Sequence, residues 1–177
     1  GVYTTDPRIV TAARKLDKIA YEEMLEMASL GAKVLQTRSV EMAMNHRVKT
    51  QVLSSFSDEP GTLLVDEEDI VEKQKVTGIA YSRDEARISL TGIANVPGMS
   101  AKLFGPLAEA GINVDMIVQN VSEGGGATDI TFTVPRGDAD RAITVVEGMK
   151  SQLGYRSIHT DKAVVKVSAV GVGMRSH

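Results

Sequence analysis

The chain has 177 residues, 42% apolar and 24% charged, with a net charge of −3, and this fits one ordinary folded domain or two small ones. It holds no Cys, no Trp and only 4% aromatic residues, which excludes disulfide scaffolds, zinc ribbons and thiol chemistry and leaves little for gripping nucleic acid. His46, His159 and His177 are far apart, so no metal site is expected, and no apolar run reaches the roughly 20 residues that cross a bilayer.

Tyr21–Gly31 predicts a short helix closed by glycine, and Val34–Asn45 a second one carrying Val34, Val40 and Met44. Val48–Ser54 and Gly61–Val65 read as short strands around a Ser-Asp-Glu-Pro-Gly turn, and Asp66–Asp69 as a solvated acidic linker. Arg87–Ile93 alternates apolar and polar residues as a half-buried strand does. The loop Ala94-Asn-Val-Pro-Gly98 then leads to a helix over Met99–Ala110, with the stripe Leu103, Phe104, Leu107 and Ala108 and a stop at Gly111. Pro106 inside that helix predicts a kink.

Ile112–Val121 predicts a strand with Ile112, Val114, Met116 and Val118 on one face and Asn113, Asp115, Ile117 and Gln119 on the other. A Gly124–Gly126 turn joins it to Thr128–Val134, where Ile130, Phe132 and Val134 point inward. Asp138 is placed to cap a helix whose stripe is Ala142, Val145, Val146, Met149 and Leu153, and Tyr155–Thr160 and Ala163–Val170 read as two more strands. Strand, helix, strand, strand, helix, strand is a ferredoxin-like α/β plait, an α+β fold with both helices on one face of an antiparallel sheet. Ser168–His177 echoes Ser89–Gly98, which predicts the start of a second copy.

The loop before Met99 carries the most chemistry. First-turn amides of a helix lack internal partners and sit at the positive end of its dipole, which suits the carboxylate of an amino acid. Strand residues two apart share a face, so Asn113, Asp115 and Gln119 are expected to line up beside the loop, with Asp115 for a ligand ammonium and Gln119 or Asn95 for a polar tail. The same residues also read simply as the polar face of an amphipathic strand. Gly171–Ser176 begins like a dinucleotide fingerprint but lacks the third glycine, and Lys33 and Arg38 read equally as solvated surface. No nucleophile–base pair or paired carboxylates stand out, so no catalytic residue is assigned. An RNA-binding plait would need aromatic and basic residues on the sheet, which are scarce here.

Three stretches carry a resemblance. GVYTTDPRIV, KLDKIAYEEMLEMASLGAKVLQTRSVEMA and VLSSFSDEPGTLL resemble the end of an aspartate kinase catalytic domain, an amino-acid-kinase α/β domain. SLTGIANVPGMSAKLFGPLAEAGINVDMIVQNVSEGGGATDITFTVP resembles the first ACT regulatory domain of those enzymes, and KVSAVGVGMRSH the entry to their second. It is similar above all to the monofunctional bacterial enzymes. The resemblance implies a kinase-domain tail over 1–65, a linker over 66–75, a first ACT domain over 76–161 and the start of a second, truncated one over 162–177. Gly1 in place of Met reads as a piece of a longer chain.

The resemblance further implies a cytoplasmic parent enzyme that uses ATP and Mg to phosphorylate the β-carboxylate of aspartate, the fragment alone being inactive and binding no cofactor itself. Gly1–Arg8, chiefly Tyr3, and Lys33 correspond to the family's nucleotide contacts. Asn95, Val96, Pro97, Gly98, Met99, Ser100, Asn113, Val114, Asp115 and Gln119 correspond to its effector contacts at an ACT–ACT interface, for threonine, lysine or both. Implied partners are the effector and a second or catalytic subunit, with no nucleic acid and no membrane. A structural dimerisation fragment without effector binding is the alternative.

Overall fold

Residues 1–70, 76–121 and 126–171 are described by the computed structural model of the chain, which divides into two units, Gly1–Ser82 with Lys166–His177, and Arg83–Val165. In the first unit β1 (Lys18–Ala20) runs directly into α1 (Tyr21–Ser29), which buries Tyr21, Met24 and Met27 along one stripe. Glu23, in the first turn, reaches back to accept the Ala20 N–H at 3.2 Å, satisfying a donor the helix leaves open. The second predicted helix starts later than its pattern. Val34 is exposed in the connecting turn, and α2 (Thr37–Asn45) buries Val40 alone. The two short strands form as β2 (Thr50–Val52) and β3 (Thr62–Val65), with β3 central, antiparallel to β2 and parallel to β1. The acidic stretch holds a short 3-10 turn, Glu67–Asp69. Val2, Ile19, Leu64 and Val170 complete this core.

β4 (Gly78–Ala94) starts in the first unit and β7 (Ser157–Val170) ends in it; the second unit is built on the rest of these two strands with α3 (Met99–Glu109), β5 (Asp115–Val121), β6 (Ala127–Val134), α4 (Ala139–Gly148) and the short α5 (Lys150–Leu153). The strand order β5-β6-β4-β7 with this sequence of elements is the ferredoxin-like plait. Ile88, Leu90, Ile130, Phe132 and Val134 meet Leu103, Leu107, Ala142 and Val146 in its core, all fully or almost fully buried. Phe104 meets the Phe132 ring edge-on at 5.4 Å.

Four expectations change. β4 extends well before Arg87, and its alternation survives past Leu90 only because the register shifts by one residue before Ile93, returning Ile93 to the core. α3 runs on through Pro106 to Glu109. Asp138 makes no cap to α4; its carboxylate instead takes the Arg141 guanidinium at 2.7 Å. The two C-terminal strands are one continuous β7. The Gly124–Gly126 turn and the residues Gly171–His177 lie largely outside the described residues, so the turn, the partial fingerprint and the second ACT copy are left as sequence expectations.

Candidate functional site

Gly98 lets the chain bend into α3. Its φ of +85° is in the left-handed region that glycine enters without cost, and no side chain caps the helix. The turn is held by Val96 N–H on the Ala94 carbonyl at 2.9 Å and Met99 N–H on the Val96 carbonyl at 3.3 Å, while Asn95 N–H donates to Gly126 at 3.4 Å. These three amides are therefore occupied. Those of Gly98, Ser100 and Ala101 have no backbone partner among the described residues, as expected where a helix starts. Asn95, Val96, Pro97, Gly98 and Ser100 are exposed, whereas Met99 is buried and anchors the turn in the core.

The strand half of the predicted site is arranged differently from its pattern. Asn113 and Val114 precede β5, Val114 packing against the core, and β5 begins only at Asp115. Asp115 pairs with Thr133 and Val118 with Thr131, so three steps on β5 match two on β6, and Met116 takes a φ of +32°. This bulge flips the phase. Asp115 shares the half-buried outer face with Thr133, while Gln119, opposite the buried Ile130, is on the helix side. Asp115 and Gln119 therefore do not share a face.

Nor does Asp115 stand beside the loop. Ala94 pairs with Ala127 at the start of β6, and Asp115 pairs with Thr133 near its end. Six residues of strand between them measure about 20 Å. The loop half and the Asn113–Asp115 half lie at opposite ends of the sheet, too far apart for one amino acid to touch both within one copy.

In the first unit, the two predicted nucleotide segments each contact the start of β4, Thr4 at Ile79 and Gly31 at Tyr81. Tyr3 bridges to Lys15, and Thr4 accepts the Ile79 N–H of β4 at 2.7 Å. The turn before Lys33 is held by Ala32 N–H on Met27 at 2.9 Å, and Gly31, at φ +116°, packs so closely on the Tyr81 carbonyl of β4 that a Cβ there would overlap it. Lys33 itself is exposed.

Asp6 lies within the predicted Gly1–Arg8 segment, but its sequence pattern assigned it no role of its own. Its carbonyl closes a turn onto Ile9 and Val10, both at 3.0 Å, and its carboxylate accepts Arg8 N–H at 2.9 Å, Nε at 3.0 Å and Nη2 at 2.8 Å, and the Tyr81 hydroxyl at 3.2 Å. The Arg8 side-chain bonds hold this carboxyl well below the usual carboxylate range. Asp-Pro opening a turn was the available signal. The Arg8 side chain stays 87% exposed while its Nε and Nη2 are held by Asp6. By contrast, the open cleft between α1 and α2 is lined by Glu22, Glu26 and Glu41, the wrong sign for phosphate. Among the described residues no cluster of three or more His, Asp or Glu could hold a metal, and no helix is long and apolar enough to cross a membrane.

Comparison with known proteins places both units. Residues 1–54 match the amino acid kinase family and residues 76–154 the ACT domain. An aspartate kinase of Stutzerimonas stutzeri is 52% identical over the whole chain, which spans 43% of that relative's length. A crystal structure of aspartokinase alpha and beta subunits is 46% identical with a TM-score of 0.53, over 58% of this chain and 66% of that one. That of E. coli aspartokinase III in complex with lysine and aspartate, in its T-state, is 28% identical with a TM-score of 0.71, over 97% of this chain and 37% of that one. The chain belongs to the aspartate kinase family, and it carries the end of an amino-acid-kinase domain followed by an ACT domain.

Proposed function

We propose that the chain is the regulatory part of an aspartate kinase with the end of its catalytic domain, divided as 1–65, 66–75, 76–161 and 162–177. The parent enzyme, in the cytoplasm, transfers the γ-phosphoryl group of ATP to the β-carboxylate of aspartate, the first step toward lysine, threonine and methionine. Arg8 and Lys33 are cations of the kind that receive nucleotide phosphates, and Tyr3 lies in the same segment; Mg enters with the nucleotide.

Threonine, lysine or both bind at an interface between ACT domains and hold the kinase in an inhibited arrangement, as an effector does by binding one arrangement more tightly. The lysine complex of the E. coli relative supports the ligand class. The observation that carries the interface is the separation of Asn95 from Asp115 along β6. Since one ligand cannot reach both, a complete site takes its loop from one copy and its strand from another, and two-fold pairing makes two such sites.

Complementation tests this. Asn95→Ala and Asp115→Ala each lose effector binding alone. Mixed in equal amounts they regain about a quarter of the sites, because half the pairs are mixed and each mixed pair holds one intact site. Mixtures that stay silent, from singly inactive variants that exchange subunits, refute the composite site.

A further inference from the structure

Residues 77–81, around the start of β4, contact α1, the Gly31 turn and the Gly1–Arg8 segment. Thr77 donates its hydroxyl to the buried Glu23 at 2.5 Å, Ile79 donates its N–H to Thr4, and the Tyr81 carbonyl lies against Gly31. One contact bears on an exposed cation: the Tyr81 hydroxyl donates to Asp6 Oδ2 at 3.2 Å, and Asp6 holds the exposed Arg8 side chain. That oxygen also takes Arg8 Nη2, and among the described residues the carboxylate is otherwise bonded only by the Arg8 turn it shapes. Removing the hydroxyl would leave the Asp6–Arg8 pair intact but let it swing, since Asp6 and Arg8 are only two residues apart on a turn and carry each other.

We propose that Tyr81 is a positioning residue for the nucleotide: its hydroxyl fixes the Asp6 carboxylate, which fixes the Arg8 guanidinium, so the strand that continues from Ser82 into Arg83 and the regulatory unit sets the geometry of the phosphate-facing cation. This rests on the nucleotide reading of Gly1–Arg8 and Lys33. A cation that holds the phosphates equally well before and during transfer contributes uniform binding, which moves KM and leaves kcat unchanged. The effect therefore falls on the KM for ATP, with kcat and the KM for aspartate preserved. Asp6 and Tyr81 act through one chain of contacts, so their effects do not add.

The test is steady-state kinetics of the full-length enzyme with Tyr81→Phe, Asp6→Asn, the double variant and Lys33→Ala, each checked for folding by its thermal midpoint. Tyr81→Phe keeps the ring and removes one oxygen. The expected result is a KM for ATP raised about threefold to tenfold by Tyr81→Phe at unchanged kcat. In the double variant the increase stays close to that of Asp6→Asn alone. A KM for ATP within twofold of the parent in Tyr81→Phe, while Lys33→Ala raises it, overturns the positioning role and leaves the nucleotide reading standing. If neither variant moves it, both fall. A loss confined to kcat, or multiplicative effects in the double variant, also overturns the proposal.

Discussion

Asn95 and Asp115 stand at opposite ends of the regulatory sheet, one bonded to Gly126 ahead of β6 and the other paired with Thr133 near its end. If both contact one effector, effector binding and association of the chain are a single linked equilibrium. Saturating threonine or lysine, whichever binds, is expected to lower the dissociation constant of the pair, read by sedimentation equilibrium, by tenfold or more, a coupling of about 1.4 kcal/mol. Association that ignores the effector would favour a purely structural dimer, for which exposed Met116, Ile117, Val118 and Val121 on β5 offer an edge.

Met116 offers a sharper local test. It is 54% exposed on an edge strand, where Val normally does as well or better, but its φ is +32°. A β-branched residue is poorly accommodated there, so Met116→Val is expected to destabilise the fold by about 1–2 kcal/mol in urea unfolding. A neutral result would mean that the bulge relaxes easily.

Leu107 is completely buried between α3 and the sheet. Leu107→Ala is expected to cost about 2–5 kcal/mol, with an unchanged denaturant slope. The unfolding curve then shifts without broadening.

Gly31→Ala probes the contact between the α1 end and β4. The added Cβ would overlap the Tyr81 carbonyl, and the φ of +116° is closed to alanine. The loss should exceed about 2 kcal/mol by thermal or urea unfolding, several times the effect of an ordinary exposed Gly→Ala change.

Two groups give opposite pH limbs. The Asp6 carboxyl is held low by its Arg8 bonds, so the folded state binds its proton less readily than the unfolded chain. Its contribution is complete above the ordinary carboxylate value of about 4 and is lost as pH falls below it. Tyr21, which donates to the Val48 carbonyl at 2.7 Å, is pushed up by burial and then by the Asp66 charge. Its contribution is complete below about pH 10 and is lost as pH rises past that value. Thermal midpoints across pH should show a flatter acid limb in Asp6→Asn and a flatter alkaline limb in Tyr21→Phe.

The plait was legible because its alternation and helix stripes are strong: Ile130, Phe132 and Val134 face inward as their spacing requires, and Leu103 and Leu107 meet them. What failed was phase. Period-two reasoning placed Asp115 and Gln119 on one face because a bulge carries no residue signature when its extra residue is a methionine. The distance between loop and strand was hidden for another reason. It depends on β4 and β5 running in the same direction with α3 returning between them, a property of topology that local pattern does not express. On the nucleotide side, Tyr3 and Lys33 were read from resemblance, while the Asp6–Tyr81 contact joins residues 75 apart and is visible only once β4 is seen to extend back to Gly78.

Feedback regulation requires that this ACT unit recognise a free amino acid. Isothermal titration of the associated chain with threonine and with lysine, up to millimolar concentration, measures that directly. A saturable heat with at least one of the two, lost in Asn95→Ala, is the predicted result; no heat with either, from a chain shown to be folded and paired, contradicts it.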